Sequence, residues 1–198
     1  MLKLNHLTGF GSGAGAAAGG DVTSYVFDGT DDILGVPDHA TWDRGTGDWT
    51  VEFWFKGTAT SGAIVARWDT GTPAKSFEVY VGGSKLVGAM STDGNATVTT
   101  TTGTTNVNDD VWHHGAYIRN GNVQTLYVDG VSEGTPGSAT GVWFTSAAEV
   151  TVGAQGTVAS PNFFYTGNVD EVRISDIARE TGNFTPQTEQ YTSDANTL

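Results

Sequence analysis

The stretch "DWTVEFWFKG", Asp48–Gly57, decides the fold. Its side chains alternate: Val51, Phe53 and Phe55 share one face, and Glu52, Trp54 and Lys56 share the other. A period of two over so many residues is that of a β-strand with one face buried. Outward from it, the same pattern recurs in short pieces. "SYVFDG" (24–29) closes on Asp-Gly, and "GAIVARWD" (62–69), "SFEVYVGG" (76–83) and "KLVGAMS" (85–91) are punctuated by Gly. "HHGAYIRNGNVQTLYVDGVSEG" (113–134) carries two hairpin signals, Asn120-Gly121 and Asp129-Gly130, which supply the positive φ of tight primed turns. "AEVTVGAQ" (148–155) and "TGNVDEVRISDIAR" (166–179) read as the last strands. In the latter, Val169, Glu171 and Arg173 are expected on one face, with Asp170, Val172 and Ile174 on the other. A short helical turn is expected near Ser175, with Asp176 in its first turn. The Thr-rich run 97–105 reads as an edge strand or a loop. No segment has helical period, and ten or so short strands between turn signals predict an all-β, two-sheet antiparallel sandwich.

Composition narrows the function. Against 9 basic residues stand 22 acidic ones, a net charge of −13, which excludes a nucleic-acid footprint and an anionic membrane as partners. The same acidity suits hard cations. With no cysteine, disulfides and thiolate chemistry are excluded. No apolar run has the length of a membrane span, and Lys3, Asn5 and His6 interrupt the apolar start that a signal peptide needs. Residues 1–20 are too Gly-rich to contribute a core and form a separate arm. Two readings of it stay open: a disordered tail, or an assembly arm that orders on a partner through Leu2, Leu4, Leu7 and Phe10. The folded domain is expected over 21–182 and a C-terminal tail over 183–198.

Four stretches, "YVFDGTDDILGVPDHATWD", "WTVEFWFK", "VWHHGAYIRNGNVQTLYVDG" and "GNVDEVRISDIAR", resemble in this order the signature strands of the laminin G-like jelly-roll family, within the concanavalin A-like lectin and glucanase superfamily. The resemblance covers residues 21–180 and implies a jelly-roll. That scaffold hosts lectins, adhesins, glycosidases and structural modules, so function must come from the site. "LNHLTGFGSG" (4–13) resembles the start of tailed-bacteriophage structural proteins, and "NFTPQTEQYTSDANTL" (183–198) resembles a connector leading to a second jelly-roll.

The family resemblance also implies a structural Ca²⁺ site tying the first strand to the last, at Asp28 and Asp170, with Asp31, Asp32 and Asn168 nearby. The competing reading makes Asp28 a turn residue and Asp170 a strand-start residue bonded to backbone amides. Catalysis is not expected. A glycosidase needs two carboxyls on one face, whereas Asp170 and Glu171 are adjacent, and Glu52 and Glu78 stand alone on their strands. His113 and His114 point to opposite faces of a strand and are expected to be core residues rather than a chelating pair. Among aromatics in or beside loops (Trp42, Trp68, Trp143, Phe144, Phe163, Phe164, Tyr165), the rings of Trp143, Phe163, Phe164 and Tyr165 are the candidate glycan or partner contacts; closure of the sandwich ends is the alternative. Together these readings lead to a non-enzymatic phage virion protein, on capsid or tail, present in many copies or as a homo-oligomer. Its partners would be other virion proteins and cell-surface glycans. The alternative is an exported or bacterial cell-surface carbohydrate-binding module.

Overall fold

The computed structural model describes residues 24–71, 73–95, 99–138 and 140–198. The arm residues Leu2, Leu4, Leu7 and Phe10 lie outside them. Two six-stranded antiparallel sheets face each other, as a jelly-roll sandwich requires. The first sheet runs β1 (Tyr25–Asp28), β14 (Thr166–Ser175), β3 (Trp49–Lys56), β8 (His113–Asn120), β9 (Val123–Val128), β10 (Val131–Ser138). The second runs β2 (Leu34–Val36), β11 (Val150–Val152), β4 (Ser61–Trp68), β5 (Lys75–Gly82), β6 (Lys85–Met90), β7 (Thr99–Thr102). A small hairpin, β12 (Gln155–Thr157) and β13 (Ser160–Asn162), stands beside β4.

The alternation in β3 works as read. Val51, Phe53 and Phe55 have no exposed surface and pack with Val79, Val81, Leu86 and Met90 of the second sheet. Burying each of these rings and aliphatic chains contributes roughly 1.5–3 kcal/mol. The sheets approach closely because glycine faces an aromatic ring: a Cβ on Gly88 would lie 2.7 Å from the Tyr117 ring. Tight turns set the hairpin registers. Asp129 and Gly130 both have positive φ (52° and 75°), as do Gly83 and Ser84 (60° and 65°), the twist that suits two-residue hairpins.

The structure corrects the reading of β14. Asp170 pairs with Trp54 and Arg173 with Glu52, so three steps on β14 meet two on β3. The extra residue is a bulge, and Glu171 takes φ 49° within it. Val169, expected on the face opposite Val172 and Ile174, therefore reaches the same core as both. No helical turn follows Ser175. Within the Thr-rich run, Thr99–Thr102 form an edge strand, β7.

Residues 183–198 are packed on the first sheet and cross its outer face. Phe184 packs edge-on against Tyr127 and His114, with centroids 5.4 and 5.6 Å apart. Arg173 lies 4.0 Å over the Tyr191 ring, and the Leu198 amide donates to Ile174 O at 2.9 Å. Beneath this strap Glu52 accepts from Arg173 Nε at 2.8 Å, and His114 Nε2 bonds the Tyr191 hydroxyl at 2.8 Å. Burial alone would raise the Glu52 pKa, but His114 and Arg173 outweigh it and hold it below the usual carboxylate value. On the opposite flank the two edge strands β7 and β10 contact each other. There Glu133 accepts bonds from both the amides and the hydroxyls of Thr104 and Thr105.

Candidate functional site

Asp28 ends β1, opposite Thr166 of β14. Asp170 lies four residues further along β14, about 13 Å away at strand rise. The two aspartates thus do not form a joint site, because the antiparallel register places them at different levels. Asp170 Oδ1 accepts from the Glu171 amide at 2.8 Å within the bulge, and burial raises its pKa. Asp28 instead gathers with Asp31 and Asp32, their carboxylate oxygens within 4.8 Å of one another. Asx-type bonds shape this loop: Thr30 N donates to Asp28 Oδ1 at 2.7 Å, and Asp28 N to Asp32 Oδ2 at 2.9 Å. Three carboxylates this close repel one another, and oxygen-only donors suit a hard cation such as Ca²⁺. Asp28, Asp31 and Asp32 are therefore the residues that would hold one.

The aromatic candidates divide. Trp143 and Tyr165 are buried core residues, 3% and 1% exposed, rather than surface contacts. Trp143 stacks edge-on against Trp49 at 4.0 Å and tilts against Phe77 at 5.6 Å, closing one end of the sandwich. Trp42 and Trp68 are buried as well. Phe163 is exposed and Phe164 half-buried. Phe163 has φ 52°, a conformation that costs a bulky residue energy and is held here by a bond from Ala63 N to its carbonyl at 2.9 Å. Its ring meets Tyr80 of β5 at 5.6 Å, edge to face.

That contact marks the outer face of the second sheet, where sequence reasoning missed the important group. Phe77, Val79 and Val81 point into the core, so Ser76, Glu78 and Tyr80 point out. Glu78 pairs across the sheet with Ala66 on one side and Ala89 on the other. Both cross-strand neighbours are therefore small, while Glu78 itself is buried. Gln155 Nε2, from the β12–β13 hairpin, donates to Glu78 Oε2 at 2.6 Å. Burial pushes the Glu78 pKa up to about 7, against the opposing pull of the Gln155 bond and the Lys75 charge. Beyond it, Lys75 lies 5.5 Å over the ring of Trp68. The face thus combines two apolar rings, a carboxylate acceptor and an amide. In sequence Glu78 was visible only as a lone carboxylate. Its partner is 77 residues away, and nothing local announces the pairing.

The histidines behave as structural groups with carboxylate partners. His113 Nδ1 bonds Asp129 Oδ2 at 2.8 Å, and Nε2 bonds Asp109 Oδ1 at 3.1 Å. The bond to Asp129 raises the His113 pKa, opposed by burial. Asp109 comes from the loop before β8 and Asp129 from the β9–β10 turn, so the three tie the start of β8 to both.

A laminin G family model, described as the concanavalin A-like lectin/glucanases superfamily, matches residues 28–182. No curated protein sequence matches the chain significantly. Solved structures share the fold at low identity. Mouse laminin alpha1 chain domains LG4-5 align with TM-score 0.57 and 18% identity, over 81% of this chain and 44% of that one. The binding domain of Paraclostridial Mosquitocidal Protein 1 aligns with TM-score 0.59 and 13% identity, over 79% and 43%. The Ruminococcus gnavus IT-sialidase CBM40 aligns with TM-score 0.61 and 14% identity, over 79% and 91%. The chain spans less than half the length of the laminin and mosquitocidal structures. With the family model covering most of its length, the chain belongs to the concanavalin A-like lectin/glucanases superfamily.

Proposed function

We propose that the chain is a non-enzymatic, glycan-binding jelly-roll domain displayed on a bacteriophage virion, on capsid or tail. The observation that carries the binding role is the outer face of the second sheet. Phe163 is held exposed in a strained conformation against Tyr80, and Tyr80 stands two residues along the same strand face from Glu78, which bonds Gln155. Aromatic rings beside directional polar groups suit a sugar, whose ring face is apolar and whose rim is hydroxylated. The opposite outer face is covered by residues 183–198, which leaves this one to be presented.

The absence of catalysis is supported by the neighbours of Glu78. On its face the adjoining described positions are Ser76, Tyr80, Ala66 and Ala89, none of them acidic, whereas hydrolysis needs a second carboxyl nearby. Glu52 is engaged by Arg173. The virion setting rests on the resemblance of residues 4–13 to phage structural proteins, with other virion proteins and further copies of the chain as partners. A bacterial cell-surface or secreted carbohydrate-binding module is the second reading, favoured by the 91% coverage of the gnavus sialidase module. Calcium at Asp28, Asp31 and Asp32 would be structural in either setting.

The test is a glycan array probed with the purified protein and with Tyr80→Ala and Phe163→Ala. Binding by the parent that both variants lose supports the reading. A folded parent that ignores every glycan removes it. Immunogold labelling of phage particles with antibody to the domain separates virion from cell surface.

A further inference from the structure

We propose that the outer face of the second sheet, beside the touching rings of Tyr80 and Phe163, selects uncharged, hydroxyl-rich glycans and rejects anionic ones, with Glu78 and Gln155 as the pair that reads adjacent sugar hydroxyls. This rests on the glycan-binding reading above and names the ligand class of that site.

The pair has the capacity. Glu78 Oε2 accepts from Gln155 Nε2, and among the described residues no other hydrogen bond reaches that carboxylate. Oε1 therefore keeps its acceptor sites for a ligand. The Gln155 amide has a second N–H and a carbonyl oxygen to offer. A carboxylate next to an amide thus presents acceptors and a donor a few ångströms apart, the spacing of vicinal hydroxyls on a pyranose. Hydrogen bonds to an ionised acceptor are the stronger kind. The rings of Tyr80 and Phe163, 5.6 Å apart, supply the apolar contact for the sugar face.

The same groups work against an anionic sugar. At a pH above 7, where Glu78 is ionised, a sialic acid, uronate or sulfate would set like charge against it where burial leaves little water to screen it. The cation whose charge reaches Glu78 is Lys75, and its Nζ already lies over Trp68 and donates to Asn95 O at 3.3 Å. The net charge of −13 adds a repelling field around the whole molecule. Glu78 is also a costly residue to keep there, since a Gln would fill the same space without a charge to desolvate. A carboxylate retained at such a position has work to do for a ligand.

The experiment compares neutral gluco-, galacto- and manno-oligosaccharides with sialylated, sulfated and uronate-bearing ones on one array, followed by calorimetry on the best binder. Neutral glycans should bind and anionic ones should not. Glu78→Gln and Gln155→Ala should each weaken neutral binding about tenfold, the value of one bond to a charged group. Gln155 lies in the half-exposed hairpin, so its variant keeps the test alive if Glu78→Gln folds poorly; circular dichroism checks both. Binding of anionic glycans equal to or above neutral ones overturns the selectivity while leaving glycan binding intact. Neutral binding that survives both substitutions overturns the assignment of the pair. A folded protein that binds nothing removes the glycan reading together with this inference.

Discussion

Glu78 carries an ionisable group where an amide would serve the fold, and this has a consequence for pH. Its folded pKa, about 7, stands above the ordinary 4.5 because burial disfavours the charged form. Between those values the folded chain holds a proton that the unfolded chain has released. Stability is therefore fully present below pH 4.5, falls as pH rises toward 7, and levels off above it, a change of about 3 kcal/mol. Glu78→Gln should melt several degrees higher than the parent at pH 8, with the gap closing at pH 4; equal melting curves at pH 8 would mean that the carboxylate is well solvated. His113 shifts stability in the same sense, since its pKa is raised by Asp129, and the Gln variant isolates the Glu78 share. At this scale the sequence was only partly readable. Phe53 and Phe55 could be placed by alternation because strand geometry is local. Trp143 and Tyr165 could not, because a loop residue that plugs a sandwich end and one that faces solvent have the same neighbours in sequence.

Two elements behave differently from their sequence reading, each for a non-local reason. The β14 bulge is invisible in alternation until β3 is laid beside it, yet it moves Val172 into the core and frees Glu171 Oε2 to accept from Tyr191 N at 2.7 Å. The strap over 183–198 looked like a linker because its apolar residues are sparse. Phe184, Tyr191 and Leu198 recur every seven residues, wide enough for an extended chain to drop one side chain at a time onto the sheet. Removing 183–198 should expose Ile118 and Tyr127 and strip Tyr191 from Arg173. Thermal melting should drop markedly and binding of a hydrophobic dye should rise; an unchanged melting temperature would reduce the strap to a passive tail. The Asp28–Asp32 loop makes the third element. If it holds Ca²⁺ in the folded state only, a hundredfold excess over Kd stabilises by about 2.7 kcal/mol. Millimolar chelator should then lower the melting temperature, Asp31→Ala should abolish that response, and Asp170→Ala should leave it in place. A melting curve indifferent to chelator would leave the three aspartates as turn formers.

For the whole molecule, the all-β sandwich was legible from turn dipeptides and strand spacing, whereas strand order was not. Placing β14 between β1 and β3, and β11 between β2 and β4, joins segments far apart in sequence, and such long-range pairing leaves no local mark. Residues 1–20 lie outside the described residues, and their proposed role in assembly calls for a test on the particle. Deleting them should leave the melting temperature of the domain nearly unchanged and abolish incorporation into virions; normal incorporation would sink the arm as an anchor. The flank where β7 meets β10 bears on crowding. Many copies held side by side invite edge-to-edge strand pairing, the first step of aggregation. Here the edge strands β7 and β10 lie against each other, joined by Glu133 bonding Thr104 and Thr105, and Pro136 removes an amide from β10. What remains on the far flank is β1 and β2, four and three residues long. Strands so short give a neighbour too few rungs to template a ladder, so such a domain can be packed densely and stay soluble.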